Sequence, residues 1–183
     1  MPGGAILACL AMAPSTGAQD PPRPVTVYSS LPLSGAARPQ AQAVVRGARL
    51  AVEEAGGLAG GRQVRYVSLN GATRRAGSWT PERTARNAVR AATDDSTIAY
   101  IGEFNSGASA ISMPILNEVG IAQISPSNTA IGLTRSGPGA ERGEPAKYRP
   151  AGRRHYFRLA PTTGSRPPRW PARCEIAAAG AWR

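Results

Sequence analysis

From residue 25 onward, the chain alternates short strand-like runs with longer segments of helical periodicity, and this alternation constrains the fold more than any other feature. Runs rich in β-branched or apolar residues occupy residues 25–29, 64–69, 98–101 and 121–124. Apolar side chains at helical spacing mark the segments between them, residues 40–55, 80–92 and 109–119. Strand–helix units that repeat about every 30 residues imply right-handed crossovers. The sequence therefore predicts an α/β fold with a doubly wound, mostly parallel sheet.

The ends of the helices carry recognisable signals. Thr80 is a typical N-cap, Pro81 fits the first helical turn, and Glu82 faces the positive end of the helix dipole. The glycine-rich run 56–61 follows a helix and precedes a strand, which is the reverse of a dinucleotide fingerprint, so we interpret it as a helix stop and a turn. Pro114 predicts a kinked or short third helix.

The periodicity also predicts which side chains face the sheet. For the first helix they are Val44, Ala48, Ala51 and Val52, and for the second they are Ala85, Ala88, Val89 and Ala92. The apolar run 98–101 predicts a strand covered on both sides.

The formal charge of +11 over 183 residues is concentrated near the end of the chain. Residues 135–183 carry 11 basic and 3 acidic side chains together with many Pro and Gly. No interleaved aromatic pattern accompanies these charges, and we therefore do not predict a nucleic-acid partner. We interpret residues 162–183 as an aberrant Arg/Pro-rich tail of a composition typical of disorder.

Residues 1–20 resemble a secretory leader, because an apolar run is followed by small residues and then by a Pro cluster. Cys9 offers an alternative, a lipid anchor, since residues 6–9 loosely match a lipoprotein cleavage box. No run approaches the ~20 apolar residues of a membrane-spanning helix. We therefore expect an extracytoplasmic protein, either periplasmic or attached to the cell surface as a lipoprotein.

Loops after the predicted strands are the places where ligands bind in sheets of this kind. Three loops qualify, namely 31–40, 102–109 and 125–134. The second and third are rich in Ser, Asn, Thr and Gly, and they supply hydroxyls and free N–H groups near a helix start, where an anion such as a carboxylate is favoured. Each loop alone is equally consistent with plain helix capping, but their occurrence at successive strand ends favours a joint site.

Catalysis and metal binding find little support. His155 is the single histidine, and the two cysteines cannot form a four-thiolate zinc site. Asp94 and Asp95 indicate a solvated loop rather than a metal site. Glu103 is the one acid in a candidate loop, and either it binds a cationic group or it is solvated. We predict no enzymatic activity, no cofactor and no metal.

The ordered set of short passages resembles the leucine/isoleucine/valine-binding type of extracytoplasmic solute-binding proteins, which serve branched-chain amino acid ABC transporters. The resemblance covers residues 24–161, and the matching passages are 32–35, 47–57, 101–109, 114–121, 124–126, 133–134 and 156–158. It implies the first lobe of a type I periplasmic binding fold that closes with a second lobe on a small ligand. It also implies that the loaded protein docks on ABC permease subunits in the membrane.

Carried over by position, the resemblance implies a site for an amino acid or amide ligand. The ligand-binding candidates are Asn105, Ser106, Gly107, Ser127, Asn128 and Thr129. Relatives of this type have about twice as many residues and a second lobe, so we expect a truncated first lobe with half a site. An alternative function for the same lobe is the ligand-binding domain of an amide or amino-acid sensor.

Overall fold

The computed structural model describes residues 22–164; the predicted leader, Cys9 and the tail from residue 165 lie outside the described residues. The strands are β1 (Val25–Leu31), β2 (Leu58–Ala59), β3 (Arg62–Asn70), β4 (Thr97–Ile101), β5 (Ala122–Ser125) and β6 (Tyr156–Arg158). The α-helices are α1 (Arg38–Glu54), α2 (Pro81–Ala92) and α3 (Ser106–Glu118), and short 3₁₀ helices span Ile131–Leu133 and Ala146–Tyr148.

The described strands form one sheet in the order β2-β3-β1-β4-β5-β6. All neighbours pair in parallel except β2 and β3, which form an antiparallel hairpin at one edge. The strand order moves outward from β1 in both directions, first through β3 and then through β4 to β6. This confirms the predicted doubly wound, mostly parallel α/β fold.

Helices lie on both faces of the sheet. Tyr28 and Tyr100 pack with Ala88 of α2 and Leu116 of α3 in one apolar cluster. On the opposite face, where Leu31 points, α1 contributes the buried Ala41 and Val45 to a second cluster. Because every strand but β2 runs in the same direction, the carboxyl ends of β1, β3, β4 and β5 meet at one edge.

Several helix details differ from the sequence expectation. The first helix begins two residues earlier than predicted, and its buried residues are Ala41 and Val45. Of the four residues predicted to face the sheet, Val44, Ala48 and Val52 are partly buried and Ala51 is exposed. In α2, Val89 is 48% exposed, and the buried positions include the polar Thr84 and Asn87. Hydrophobic periodicity misses Asn87, because its buried amide is polar and donates to the Ser30 hydroxyl and the Asn70 carbonyl.

The predicted helix ends are largely correct. Thr80 caps α2 by accepting a hydrogen bond from the Arg83 N–H. Gly56 and Gly57 both have positive φ, 64° and 70°, and lead into the β2–β3 hairpin. The third helix was predicted over 109–119 and spans Ser106–Glu118, so Pro114 does not shorten it; a kink at Pro114 stays a prediction.

Two expectations about individual residues of the fold are also wrong. Ile98 is 47% exposed, so β4 is not covered along its whole length. Asp94 is not a freely solvated loop acid, because its carboxylate accepts hydrogen bonds from Ser96 and from the Tyr28 hydroxyl. The Ser96 hydroxyl, then Tyr28, lower the pKa of Asp94 to about 2. Within residues 22–164, no helix has the length and hydropathy that crossing a bilayer requires.

Candidate functional site

The turn after β4 and the turn after β5 are hydrogen-bonded to each other. The Ser127 hydroxyl donates to the Phe104 carbonyl at 2.7 Å. The Asn128 amide donates to the carbonyls of Glu103 and Phe104 at 3.1 and 2.9 Å. The two segments that supply all six predicted ligand-binding residues therefore lie side by side at the carboxyl edge of the sheet. Which of these residues touch a ligand stays a prediction.

The three β5-turn candidates occupy different depths. Asn128 is buried, and its side-chain oxygen accepts from the Tyr156 hydroxyl at 2.7 Å, so all of its amide atoms have protein partners. Ser127 is half-buried and donates its hydroxyl hydrogen to the Phe104 carbonyl. Thr129 is exposed, and its carbonyl accepts from the Thr163 N–H at 2.8 Å. Asn128 and Ser127 therefore hold the turn in place, while Thr129 presents its side chain at the surface.

The β4-turn candidates surround the beginning of α3. Asn105 is the N-cap residue, but its side chain makes no capping hydrogen bond. The Ser106 hydroxyl accepts from the Ala130 N–H at 3.3 Å, which again ties the two turns together. The N–H groups of Ser106, Gly107 and Ala108 fall in the first helical turn and have no intrahelical acceptor. Their partial positive charge suits a carboxylate.

Sequence reasoning missed an aromatic side chain at this position. Trp79 is half-buried, and a Cβ added to Gly107 would lie 3.0 Å from its ring. Gly107 is thus the residue that lets the indole approach the first turn of α3. The position of Trp79 next to the cap Thr80, at the end of a strand–helix loop, was the available signal. The half-buried indole is an apolar surface next to the first turn of α3.

Beneath the turns lies a buried carboxyl group, that of Glu103. Its side chain is almost fully buried; the Tyr100 hydroxyl donates to one oxygen at 2.6 Å and the Ser30 hydroxyl to the other at 3.0 Å. Burial raises the pKa of Glu103 to about 8, and the two hydrogen bonds oppose this rise. The prediction of a solvated side chain is wrong, because the group is almost fully buried. The alternative, that it binds a cationic group, stays a prediction, and no described residue is its cationic partner.

Buried polar side chains also fix the backbone of the β4 turn from below. The Gln123 amide donates to the Gly102 carbonyl at 3.0 Å and to the Ser112 hydroxyl at 2.8 Å. The Ser125 hydroxyl donates to the Glu103 carbonyl at 2.8 Å. These bonds satisfy backbone groups that irregular turns leave open. They make the site pre-formed, because its geometry does not depend on a ligand.

The loops after β1 and β3 complete the same edge. The Asn70 side chain accepts from the Leu33 N–H at 2.9 Å and donates to the Ser34 hydroxyl at 3.3 Å. Gly35, with φ of +79°, lies so close to Gly77 that an added Cβ would be 1.7 Å from the Gly77 carbonyl oxygen. The carboxyl edge is therefore a rim of four loops that are hydrogen-bonded in two pairs, after β1 and β3 and after β4 and β5.

A comparison with known protein families identifies the family to which this chain belongs. The sequence profile of the family described as "Periplasmic binding protein" matches residues 24–164, most of the chain. The chain belongs to the periplasmic binding protein family. Its members are solute-binding proteins rather than enzymes, and membership implies an extracytoplasmic location. A comparison with curated proteins returns no significant match.

Solved structures of this family share the fold. One is the branched-chain amino acid transporter substrate-binding protein LivJ of Streptococcus pneumoniae in complex with isoleucine, with a TM-score of 0.58 and 23% identity. Another is the leucine-binding protein LivK of Thermotoga maritima, with a TM-score of 0.57 and 24% identity. A third is a solute-binding protein of R. palustris in complex with benzoate, with a TM-score of 0.57 and 25% identity.

Each match covers most of this chain but only a small part of the solved structure. They span 76%, 75% and 76% of this periplasmic binding protein, in the order given above. Of the relatives they span only 34%, 33% and 33%. The chain therefore spans about a third of the length of the solved structures that it matches.

Proposed function

We propose that this chain captures a small carboxylate-bearing solute, an amino acid or a related acid, and delivers it to an ABC permease in the membrane. Residues 24–161 act as one lobe of the binding protein. The observation that carries the proposal is the direct hydrogen bonding between the β4 and β5 turns, which places Asn105–Gly107 and Ser127–Thr129 at one rim.

The chemistry of the rim supports a carboxylate as the group recognised. The first turn of α3 offers N–H groups without an intrahelical acceptor at the partly exposed Ser106 and the exposed Gly107, and the Asn105 side chain makes no capping bond beside them. At neutral pH the buried Glu103 holds its proton, because its pKa is about 8, so it adds no negative charge beneath the site. The solved relatives bound to isoleucine and to benzoate have ligands that share a carboxylate.

Trp79 supports a ligand with an apolar body. Its ring packs against Gly107 at the start of α3, and a carboxylate held by the α3 N–H groups would direct an adjacent apolar group toward this ring. The ring suits a branched aliphatic side chain and an aromatic ring equally well. Leucine, isoleucine and benzoate are therefore the first ligands to test.

Calorimetry on the full chain tests the proposal with matched pairs of compounds. Leucine and benzoate should bind with millimolar dissociation constants, whereas leucinamide and benzyl alcohol, which lack the carboxylate, should not bind. Micromolar binding would correspond to a gain of ~4 kcal/mol over this expectation and would contradict a site held by one lobe. Equal affinities for leucine and leucinamide would contradict recognition of a carboxylate.

Replacing Gly107 with Ala should weaken ligand binding about tenfold and leave stability almost unchanged. The new methyl group would meet the Trp79 ring at 3.0 Å and displace it, while alanine is the better helix former by up to about 1 kcal/mol. The matched control is Gly47→Ala in α1, where no atom lies within 4 Å of the added carbon. An affinity unchanged in Gly107→Ala would remove Trp79 and Gly107 from the site.

A further inference from the structure

A cleft separate from the rim lies at the β6 edge of the sheet, and none of the six predicted ligand-binding residues lines it. It is lined by the residues after the first 3₁₀ helix, by those around the second, and by the segment that leads into β6. Its volume is about 650 Å³, and its lining residues include Thr134, Arg135, Ser136, Arg149 and Arg154. The cleft is large enough for a small organic anion.

The cleft is positively charged without compensation. Arg135, Arg149 and Arg154 line it, and no acidic side chain of the described residues does. The acids closest in sequence, Glu141 and Glu144, are paired with Lys147 at 3.0 and 3.3 Å. None of the three arginines forms an ion pair within residues 22–164.

One of the three arginines, Arg149, is held in place by a hydrogen bond and is repelled by the charge of Arg154. Arg149 is half-buried and donates to the Thr134 carbonyl at 3.3 Å, while its Nε has no acceptor among the described residues. Burial, then repulsion from Arg154, lower the pKa of Arg149. A bound anion would relieve this repulsion.

We propose that this cleft binds a phosphate group. Three guanidinium groups from three separate segments match the charge and the several oxygens of a phosphate dianion better than those of a single carboxylate. Since the volume exceeds that of inorganic phosphate, the natural ligand carries the phosphate on a larger body. That body is either a soluble phosphate monoester or a lipid headgroup at a membrane surface.

The test measures binding of inorganic phosphate to the full chain by calorimetry at fixed ionic strength. A second arm measures cosedimentation with phosphatidylcholine vesicles that do or do not contain phosphatidic acid. The variant is Arg135→Gln with Arg154→Gln, because both side chains are exposed and their loss should not disturb folding. The control is Arg38→Gln with Arg86→Gln, which removes the same charge from exposed positions on α1 and α2.

We expect the cleft variant to bind phosphate at least about tenfold more weakly than the control variant. The same difference seen only with phosphatidic acid vesicles would support the site and identify a lipid as the source. Equal weakening in both variants would mean that the arginines act as solvated charges, and it would overturn the proposal. Binding of a Glu-rich peptide, with no response to either phosphate probe, would overturn it as well and indicate a docking surface for protein.

Discussion

Replacing Glu103 with Gln should flatten the dependence of the stability of this protein on pH. The carboxyl group is almost fully buried, and burial raises its pKa from 4.5 to about 8 in the folded chain. The native state therefore holds a proton that the unfolded state releases between these values. The free energy of unfolding should fall as the pH rises from about 4.5 through 8, and it should level off above that.

The size of the change in the free energy of unfolding follows from the shift in the pKa of Glu103. Each pKa unit corresponds to about 1.4 kcal/mol, so the wild-type chain should lose several kcal/mol across the interval. Glutamine mimics the neutral acid, because its oxygen can still accept from Tyr100 and its amide can donate to Ser30. The variant should match the wild type near pH 5 and should be clearly more stable at pH 9.

Urea unfolding at pH 5 and at pH 9 measures the difference. The control is Glu118→Gln, which changes an exposed carboxylate at the end of α3 and should leave the slope with pH unchanged. Parallel curves for Glu103→Gln and the wild type would show that Glu103 is charged in the folded chain at neutral pH. A negative charge would then lie beneath the proposed carboxylate site and would repel the ligand.

The second large effect should come from Asn128→Ala. This side chain joins the β4 turn to β6, since its amide donates to the carbonyls of Glu103 and Phe104 and its oxygen accepts from Tyr156. Truncation leaves the buried Tyr156 hydroxyl without its acceptor, whereas the Glu103 and Phe104 carbonyls keep Ser125 and Ser127 as donors. An unsatisfied buried group costs about 1–3 kcal/mol and each lost hydrogen bond about 1 kcal/mol, so we expect a loss of about 2–4 kcal/mol.

The control for this experiment is Ser127→Ala, which removes a single hydrogen bond to Phe104 and should cost about 1 kcal/mol. Chemical unfolding measures both variants, and calorimetry with leucine measures their binding. Asn128→Ala should also abolish leucine binding, because the β4 and β5 turns would no longer be held in a fixed position relative to each other. If Asn128→Ala lost less than Ser127→Ala, the carbonyls would have found other donors and Asn128 would not hold the rim.

The order of strands and helices could be predicted from the sequence, because the spacing of apolar residues alternates between a strand period and a helix period along residues 25–124. The hydrophobic pattern predicted a parallel sheet. It therefore also predicted that the loops after the strands meet at the carboxyl edge. The predictions of buried helix faces are wrong where polar side chains are buried. Thr84 and Asn87 lie on the inner face of α2, and Asn87 donates to Ser30, which a hydrophobic pattern cannot indicate.

The site shows the same limit. The donor-rich loops were predicted because Ser, Asn and Gly cluster after two strands, but the roles within each loop depend on partners far apart in sequence. Asn128 is paired with Tyr156, 28 residues away, and Glu103 with Ser30, 73 residues away. Such long-range bonds decide whether a side chain faces a ligand or the protein interior, and they come from topology rather than local sequence.

Amide chemical shifts of the ¹⁵N-labelled chain during titration with leucine and with benzoate test the proposed ligand site most directly. The largest changes should appear at Ser106, Gly107 and Ala108, whose N–H groups begin α3, and they should saturate at millimolar concentrations. Leucinamide should not produce them. If these amides stayed unmoved up to about 50 mM leucine and benzoate, or if the shifts were confined to the Arg135–Arg154 cleft, the carboxylate site at this rim would be contradicted.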